Sequence, residues 1–382
     1  MPKTPLNVID LFAGAGGLSL GASRAGFNVI GAVEWDKNAM MTHKKNFPNT
    51  MHLQEDITLL TAETLLEAFS LSEENLCGII GGPPCQGFSS IGHGDISDSR
   101  NDLFIKFFYY VEKLQPQFFI AENVPGILNP KYDNIRKKAF SQLRNYVLLA
   151  PLEIKANEYG APTTRTRIFF IGYKKQGIIS SLTEDCITAF RIAPEQQISV
   201  REALKGLPSC IRYSKNSNGL IKISTEYIEA SLKNRNDFHY RVVGNIPDGV
   251  GNTDYIQAYQ DASIVSGMIP TNHSKEVEQR YRTLAFGKQD KVSKSVKLNP
   301  DGFCPTIRAG TGPDKGSYQA VRPIHYKHAR VITPREAARL QGFPDWFGFS
   351  DTIWHSFRQI GNSVSPIVAE RILCAVHQKL TL

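Results

Sequence analysis

Up to about residue 175, the chain alternates short apolar runs with longer stretches that have a helical hydrophobic pattern. The apolar runs are rich in β-branched or aromatic residues and end in Gly, Pro or acidic residues, which is typical of buried strands. Strand–helix alternation predicts an α/β fold with a doubly wound, mostly parallel sheet, in which ligands bind at the carboxyl ends of the strands. The predicted strands are Asn7–Phe12, Val29–Glu34, Met51–Asp56, Cys77–Gly81, Phe118–Asn123 and Ile168–Gly172. The predicted helices are Leu18–Ala25, Lys37–Asn46, Ala62–Phe69, Asp102–Leu114 and Asn134–Asn145.

The alternation is lost after about residue 205. Polar segments such as Tyr213–Gly219 and Asn245–Thr253 interrupt short patterns there, which indicates a smaller, irregular second domain. Near the end, Pro334–Leu340 is predicted to be a helix with Thr333 as its N-cap, and a last helix is predicted over Ile367–Leu380. We therefore expect a larger domain of residues 1–205 plus 350–382 and a smaller one of residues 206–349.

The charge of the chain permits a polyanionic partner, because the net charge is +8 and the isoelectric point is about 9.0. Residues 305–340 contain seven Lys or Arg against Asp314 and Glu336, and either a solvated basic face or a nucleic-acid contact explains this run. The sequence has no apolar run of membrane-spanning length and no signal peptide, so a cytoplasmic protein is expected. The six cysteines lack the spacing of a zinc site or a disulfide framework, so we expect no metal.

A glycine-rich turn, Asp10–Gly21, follows the first predicted strand and opens a helix. Gly14, Gly16 and Gly17 would let the backbone turn tightly and approach a ligand. Ser19 occupies the place of the third glycine in the dinucleotide-binding fingerprint, which disfavours a nicotinamide-dependent oxidoreductase. A tight structural turn without a ligand is the alternative.

Two acidic residues follow the next two strands. Glu34 ends the second strand, where a carboxylate can accept hydrogen bonds from both ribose hydroxyls, and Asp56 ends the third, where it could bond an adenine amino group. Together with the glycine-rich turn they indicate a nucleoside site, although strand-end acids can also be merely solvated.

The segment Gly81–Ser90 follows the fourth strand and holds Cys85 on a loop rich in Pro and Gly. A lone cysteine is usually a buried apolar residue within a strand or helix, as Cys77 and Cys374 are expected to be. A cysteine on a rigid loop at the carboxyl end of a strand is better suited to be a nucleophile.

Further charged residues are expected at the same edge of the sheet. Glu122 and Asn123 end the fifth strand, where a partly buried carboxyl group could supply a proton. Arg165 and Arg167 precede the next strand, so their alternate side chains point the same way and could bind a phosphate or a carbonyl oxygen. An ordinary surface arginine pair is the alternative.

With these residues in view, the chain resembles the DNA cytosine-5 methyltransferase family of bacterial restriction-modification systems. The resemblance covers roughly residues 7–175 and 330–382, and the motifs occur in the order that the family has. The segments that carry it are Phe-Ala-Gly-x-Gly-Gly at 12–17, Pro-Pro-Cys-Gln at 83–86, Glu-Asn-Val at 122–124, Arg-x-Arg at 165–167, Thr-Pro-Arg-Glu-x-x-Arg-Leu-x-Gly-Phe-Pro at 333–344 and Gly-Asn-Ser-Val at 361–364.

The resemblance implies the Rossmann-like fold of S-adenosylmethionine-dependent methyltransferases. Residues 1–205 plus 350–382 would form the catalytic and cofactor-binding domain, and residues 206–349 the target-recognition domain with its hinge. The cofactor would be S-adenosyl-L-methionine, the product S-adenosyl-L-homocysteine, and no metal would be needed. The expected partners are double-stranded DNA and a separately acting restriction endonuclease, and the enzyme is expected to be a monomer associated with the nucleoid.

The resemblance also implies catalytic roles. Cys85 would add to C6 of a cytosine while Glu122 contacts or protonates N3, after which C5 attacks the methyl group. Arg167 would hold O2 of the base, Arg165 would support the loop and a nearby phosphate, and Asn123 would orient the catalytic loop. Because the cysteine must approach the face of the ring, the base has to leave the helix stack.

Cofactor and DNA contacts follow in the same way, with Phe12 packing on the adenine and Asn362 closing the pocket. One departure is Thr163, where the family commonly has Gln. The segment Thr306–Gly312 could approach base edges or only phosphates. The expected cofactor residues are Phe12, Gly14, Gly16, Gly17, Glu34, Trp35, Asp56, Ile57, Pro84 and Asn362. The expected DNA-binding residues are Gln86, Ser89, Arg308, Lys315 and Arg322.

Three other functions remain open from the sequence. A transfer-RNA cytosine methyltransferase shares the motifs, but the length of the middle region favours DNA. A catalytically silent DNA-binding relative would be expected to lose Cys85, Glu122 or the glycine-rich turn, and all are present. A nicotinamide-dependent oxidoreductase is disfavoured by Ser19 and by the Pro-Cys loop.

Overall fold

The computed structural model of the chain describes residues 5–72, 75–84, 101–179, 181–211, 213, 219–233, 238–310 and 321–380. The predicted site residues Cys85, Gln86, Ser89 and Lys315 lie outside the described residues. No helix in the described ranges is long and apolar enough to cross a lipid bilayer.

The centre of the fold is an eight-stranded sheet in which the order of strands is β3-β2-β1-β4-β5-β8-β6, with β7 also paired to β8. Strands β1 to β5 are parallel to one another, and β8 is antiparallel to β5, β6 and β7. The strand order reverses at β1, between β2 and β4, where a ligand crevice is expected. The strands are β1 (Asn7–Leu11), β2 (Asn28–Val33), β3 (Met51–Leu53), β4 (Gly78–Gly81), β5 (Phe118–Asn123), β6 (Tyr146–Leu148), β7 (Leu152–Lys155) and β8 (Thr166–Lys174).

Alternate residues of the buried strands face opposite layers of helices. In β1, Val8 packs into the core cluster that includes α1 (Gly17–Arg24) and α14 (Pro366–Leu380), whereas Ile9 and Leu11 pack into the cluster that includes α3 (Ala62–Ala68) and α4 (Asn101–Leu114). Both faces are covered, which explains why these strands are apolar throughout. The helices of this part are α1 (Gly17–Arg24), α2 (Lys37–Asn46), α3 (Ala62–Ala68), α4 (Asn101–Leu114), α5 (Asp133–Phe140), α6 (Glu184–Thr188) and α7 (Val200–Ala203).

The remaining part of the chain is mainly helices and irregular segments, as the loss of alternation predicts. Its core cluster also contains Ala15, Leu20 and Phe47 of the first part, so the two parts share apolar contacts. The elements are β9 (Ile221–Lys222), α8 (Thr225–Leu232), α9 (Phe238–Val243), α10 (Thr253–Ala262), β10 (Ile264–Val265), α11 (Lys275–Thr283), α12 (Pro334–Leu340), α13 (Ile353–Asn362) and α14 (Pro366–Leu380). The predicted division into domains stays a prediction.

Helix α12 begins as the sequence predicts. The Thr333 hydroxyl accepts a hydrogen bond from the Glu336 N–H at 3.3 Å, and the Glu336 carboxylate accepts one from the Thr333 N–H at 2.7 Å. This reciprocal pair is a capping box, which satisfies two N–H groups that the helix itself leaves unbonded.

The run of basic residues at 305–340 is not one continuous basic face. Arg330, Arg335 and Arg339 are buried. Arg330 forms an ion pair with Glu336 at 2.7 Å, and Arg339 pairs with Asp345. These three guanidinium groups therefore stabilise the interior around α12, and only the remaining cations of the run are candidates for binding a polyanion.

Candidate active site

An open cavity of about 630 Å³ lies where β1, β2, β4 and β5 end. Its walls come from both ends of the chain, because α13 and the turn after it close one side. Nine of the ten predicted cofactor residues line it, namely Phe12, Gly14, Gly17, Glu34, Trp35, Asp56, Ile57, Pro84 and Asn362.

The glycine-rich turn and Glu34 hold each other in place. The Gly14 N–H donates to one carboxylate oxygen of Glu34 at 2.9 Å, and the Asp36 N–H donates to the other at 2.7 Å. Gly14 has a φ of 57°, in the left-handed region that favours glycine. Burial raises the pKa of Glu34, although these two N–H groups act in the opposite direction. The carboxylate is therefore oriented by the backbone before any ligand binds.

The other two glycines of the turn serve close packing. A Cβ on Gly17 would lie 2.3 Å from the carbonyl oxygen of Val364, so this position lets the last segment of the chain approach α1. A Cβ on Gly16 would lie 2.3 Å from the Phe47 ring, and Gly16, the tenth predicted cofactor residue, does not line the cavity.

Aromatic and acidic side chains line the cavity near Glu34. Trp35 is 73% exposed although it is a large apolar residue, so its ring is available to a planar ligand. Phe12 lies at the end of β1 with a φ of 64°, an uncommon conformation for a non-glycine residue. Asp56 accepts hydrogen bonds from the N–H and the hydroxyl of Thr58, at 2.9 and 2.8 Å.

At the opposite end of the cavity, an acidic and a basic side chain from neighbouring strands form an ion pair. The Nε of Arg167 lies 2.7 Å from Oε1 of Glu122, and both side chains are largely buried. They come from β8 and β5, which pair in an antiparallel register. A Cβ on Gly82 would lie 3.3 Å from Oε2 of Glu122, so the loop after β4 passes directly over the carboxylate.

Asn123 braces that loop. Its side-chain amide donates to the Pro83 carbonyl at 3.2 Å, and its side-chain oxygen accepts from the Val124 N–H at 2.9 Å. Residues 82–84 are thereby held at the edge of the cavity, and Cys85 is the next residue of the chain.

Arg165 links the segment before β8 to the end of α13. It is only 4% exposed, and its guanidinium donates to the carbonyl oxygens of Gly361 at 2.8 Å and Asn362 at 3.4 Å. Arg165 therefore holds the carboxyl-terminal end of α13, and its expected contact with a phosphate stays a prediction.

Sequence reasoning missed α13 as a wall of the cavity. Arg358 forms an ion pair with Asp36 at 2.8 Å, and Gln359 donates to the Asn38 carbonyl at 3.0 Å. Both residues line the cavity with Asn362. The signal was present, because position 362 is four residues after 358 and three residues after 359, so it is a neighbour of both on the surface of a helix.

Two predicted DNA-binding residues lie in described segments. Arg308 is exposed. Arg322 instead packs over the Phe357 ring, 4.5 Å from its centroid, and donates to the Thr271 hydroxyl at 3.4 Å. Burial lowers the pKa of Arg322.

Thr163, where the family commonly has Gln, is buried and pairs with Cys304 through an isolated parallel β-bridge.

The strand order, the cavity at the switch point and the position of Glu34 directly after β2 define an α/β enzyme with the fold of S-adenosylmethionine-dependent methyltransferases. The sequence model of C-5 cytosine-specific DNA methylases matches residues 6–378, and the chain belongs to that family. It is a DNA (cytosine-5-)-methyltransferase, and its membership of this family implies that it uses S-adenosylmethionine.

Similar proteins agree with this assignment over nearly the whole chain. The type II methyltransferase M.XorII of Xanthomonas oryzae pv. oryzae is 34% identical, over 95% of this chain and 82% of the relative. M.DdeI of Desulfomicrobium norvegicum, also a type II methyltransferase, is 33% identical, over 96% and 87%. A solved structure of a DNA modification methyltransferase encoded within a prophage (Escherichia coli) has a TM-score of 0.86 and 48% identity, over 99% of this chain and 100% of that one. The Dnmt2 methyltransferase of S. pombe, with a TM-score of 0.62 and 19% identity, shows the shared fold.

Proposed function

We propose that this enzyme methylates C5 of a flipped-out cytosine within a specific double-stranded DNA sequence through a covalent adduct with Cys85. We propose further that it is the modification enzyme of a restriction-modification system, in which a cognate endonuclease acts separately and the methyltransferase is a monomer. The two curated relatives described above, both type II methyltransferases, support the biological role.

The observation that carries the proposal is the pair of Glu122 and Arg167 beside the loop that leads to Cys85. A cytosine ring presents an oxygen acceptor, O2, on the ring atom C2, and a protonatable nitrogen, N3, at the adjacent ring position. Arg167 can donate to O2 while Glu122 donates a proton or a hydrogen bond to N3. The pair therefore matches the edge of the base that pairs with guanine in the duplex, and this edge is accessible only when the base leaves the stack.

The chemistry follows from these positions. C5 of cytosine is too weak a nucleophile to react unaided, so the Cys85 thiolate first forms a bond to C6. Glu122 supplies a proton or a hydrogen bond at N3, which keeps negative charge from building up on the ring. C5 would then bond to the methyl carbon as the bond from that carbon to the sulfonium sulfur breaks, which would release S-adenosyl-L-homocysteine. Loss of the C5 proton to solvent, return of the N3 proton to Glu122 and departure of the cysteine thiolate would restore the aromatic ring.

The residues of the cavity fit S-adenosylmethionine, which supplies an electrophilic methyl group on a sulfonium. Glu34 is oriented by the N–H groups of Gly14 and Asp36, so that its carboxylate can accept from the ribose hydroxyls. The exposed ring of Trp35 and the side chain of Phe12 offer apolar surfaces for the adenine. Arg165 donates a hydrogen bond to the Asn362 carbonyl, and both residues line the cavity. We propose that Asn362 closes the side of the cavity nearest to Glu122.

Replacing Glu34 with Gln should weaken the binding of S-adenosylhomocysteine about 10- to 100-fold, because charged hydrogen bonds to the ribose are replaced by neutral ones. Isothermal titration calorimetry measures this affinity. Glu67→Gln, on the exposed side of α3, is the control and should bind as the unaltered enzyme does. Equal affinity for Glu34→Gln would place the ribose elsewhere.

Bisulfite sequencing of mixed-sequence double-stranded DNA, after incubation with the enzyme and S-adenosylmethionine, tests the function. We expect methylated cytosines at a single position within one sequence context. A parallel reaction with transfer RNA tests the closest alternative. Methylation of the RNA with none of the DNA would contradict the proposal, and so would methylation of DNA without any preferred sequence.

A further inference from the structure

A row of four hydrogen-bonded side chains runs through the interior to the edge of the sheet. The Ser19 hydroxyl lies 2.6 Å from Oδ2 of Asp10 and 3.0 Å from Nε2 of His43. Nδ1 of His43 lies 2.9 Å from Nε2 of His52. The first three side chains are fully buried, whereas His52, on the edge strand β3, is partly exposed. This row, here called the histidine relay, therefore connects a buried carboxyl group with the solvent.

The relay belongs to the support of the cofactor cavity. Asp10 is in β1 and Ser19 is in the first turn of α1, so both are part of the glycine-rich segment. The His43 ring stacks on Phe47, with 4.4 Å between the ring centroids, and a Cβ on Gly16 would lie 3.2 Å from its Cδ2. A change in the charge or hydrogen bonds of the relay therefore acts directly beside the turn that lines the cavity.

The relay ends on a carboxyl group that accepts a proton readily. Oδ1 of Asp10 has no hydrogen-bond partner in the described part of the chain. Burial is the main reason that the pKa of Asp10 is raised to about 7; hydrogen bonds from Ser19 lower it, and the charge of Glu34 raises it. Burial also raises the pKa of Glu34, but the N–H groups of Gly14 and Asp36 stabilise its ionised form. Of these two buried acids, which repel each other as anions, Asp10 is therefore the one that takes up a proton first.

Both histidines of the relay are uncharged at neutral pH. Burial lowers the pKa of His43 well below its usual value, and the nearby His52 lowers it further. Burial and the charge of Lys44 lower the pKa of His52 to about 4, although a hydrogen bond with the backbone of Thr50 acts in the opposite direction. A neutral imidazole has one N–H donor and one acceptor nitrogen, and its other tautomer exchanges the two.

The relay can therefore adopt two complete arrangements. When Asp10 is ionised, every donor points toward it, from His52 to His43, from His43 to Ser19 and from Ser19 to the carboxylate. When Asp10 is protonated, every donor points toward His52. A proton that binds Nδ1 of His52 converts the first arrangement into the second, because each group passes its own proton to the next and the Ser19 proton reaches Oδ2 of Asp10. All hydrogen bonds are kept, and neither histidine stays charged.

We propose that the histidine relay takes up a proton from solvent when S-adenosylmethionine or its product binds with its ribose at Glu34. Ribose hydroxyls favour the ionised form of Glu34, and a ligand that displaces water from the cavity strengthens the repulsion between this carboxylate and Asp10. Neutralising Asp10 removes that repulsion. The inference rests on the proposed position of the ribose, and it makes Asp10, Ser19 and His43 positioning residues for the cofactor.

Calorimetry of S-adenosylhomocysteine binding, in buffers of different ionisation enthalpy, measures the number of protons taken up. At about pH 7.5 to 8, where Asp10 of the free enzyme is mostly ionised, we expect the unaltered enzyme to take up about 0.3 to 1 proton more than Asp10→Asn. Because binding takes up protons, its affinity should also fall as the pH rises above about 7, by at most tenfold per unit of pH. Asp10→Asn is neutral at every pH and should lack this dependence. Protons exchanged by the ligand itself are the same in both proteins and cancel.

Two replacements of His43 test the relay itself. His43→Phe keeps a ring on Phe47 but removes both nitrogens, so the Ser19 hydroxyl loses its acceptor when Asp10 is protonated. The proton uptake of this variant should be less than about half of that of the unaltered enzyme. His43→Gln should restore the uptake, because an amide can also present either a donor or an acceptor to Ser19. A merely structural role of His43 would not change the number of protons.

His377→Phe is the matched control for these variants. His377 also contacts a phenylalanine ring, that of Phe27, but it is on α14 and does not line the cavity. Its proton uptake should equal that of the unaltered enzyme. Thermal melting checks that each variant is folded. Infrared difference spectra of ligand binding need no His43 variant, and they should show a protonated carboxyl band that appears in the unaltered enzyme and is absent from Asp10→Asn.

Equal proton uptake by the unaltered enzyme and Asp10→Asn would overturn the proposal, and so would full uptake by folded His43→Phe. Glu34→Gln separates this inference from the proposed function. If Glu34→Gln bound the ligand as tightly as the unaltered enzyme does, the position of the ribose would be wrong. If Glu34→Gln bound weakly while the unaltered enzyme took up no proton, the ribose position would hold and the relay alone would be excluded.

Discussion

Replacing Cys85 with Ser should abolish methyl transfer to DNA, with a loss in kcat of about 10³-fold or more. A serine hydroxyl is almost entirely protonated at neutral pH, whereas attack at C6 needs an anionic nucleophile such as a thiolate. The binding of S-adenosylhomocysteine should be retained, because Glu34 and the aromatic residues of the cavity are unchanged. Transfer of a labelled methyl group to DNA measures the first effect, and calorimetry measures the second.

Cys77, which is buried, and Cys374, which is partly buried, are poor candidates for the same role. Burial raises the pKa of Cys77 to about 12 and that of Cys374 to about 11, so both are thiols at neutral pH. Cys210 is exposed, and Cys210→Ser is the matched control that should retain full activity. Turnover by a pure preparation of Cys85→Ser would exclude the covalent mechanism, whereas loss of activity in Cys210→Ser would show a general sensitivity to thiol replacement.

Replacing Glu122 with Gln should slow the chemical step about 10²- to 10⁴-fold while DNA affinity changes by less than about 3-fold. Gln has nearly the same shape and can still form a hydrogen bond with N3, but it cannot transfer a proton. Arg167 would remain to hold O2 of the base. Single-turnover methylation reports the chemical step, and anisotropy with the same duplex reports affinity.

Glu158 provides the control for this substitution. It lies outside the cavity and forms an ion pair with Arg191 at 3.4 Å, so Glu158→Gln also removes a carboxylate from an ion pair. Its rate should equal that of the unaltered enzyme. If Glu122→Gln lost affinity and rate to the same extent, the residue would be acting in DNA binding and not as a proton donor.

The parallel part of the sheet was predicted from local pattern. All five of its strands were expected from apolar runs, and β1, β2, β4 and β5 are close to their expected bounds because they are largely buried. The third strand was expected to reach Asp56, but β3, at the edge of the sheet and partly exposed, ends at Leu53. The predicted strand Ile168–Gly172 exists as the longer β8, but it is antiparallel to β5. Its partners β6 and β7 are three and four residues long, too short to stand out from loops in the sequence. The predicted helix Asn134–Asn145 ends at Phe140, because the chain turns toward β6.

The sequence by itself determined which residues end the strands of this enzyme, and therefore the candidates for its chemistry. Gly14, Glu34 and Asp56 follow their strands directly or within three residues, Glu122 is the second-last residue of β5, and parallel strands must bring such positions to one edge. The order of the motifs along the chain also determined the family, since each motif is read from neighbouring residues alone.

The tertiary structure decided which of these candidates meet. The pairing of Glu122 with Arg167 depends on the antiparallel placement of β8, and the bond from Arg165 to the Gly361 carbonyl joins positions 196 residues apart. The same holds for buried Arg339 and exposed Arg308, which belong to the same basic run at 305–340 but lie in the interior and at the surface. Contacts between distant segments depend on how the sheet and helices pack, and no local pattern of residues records that packing.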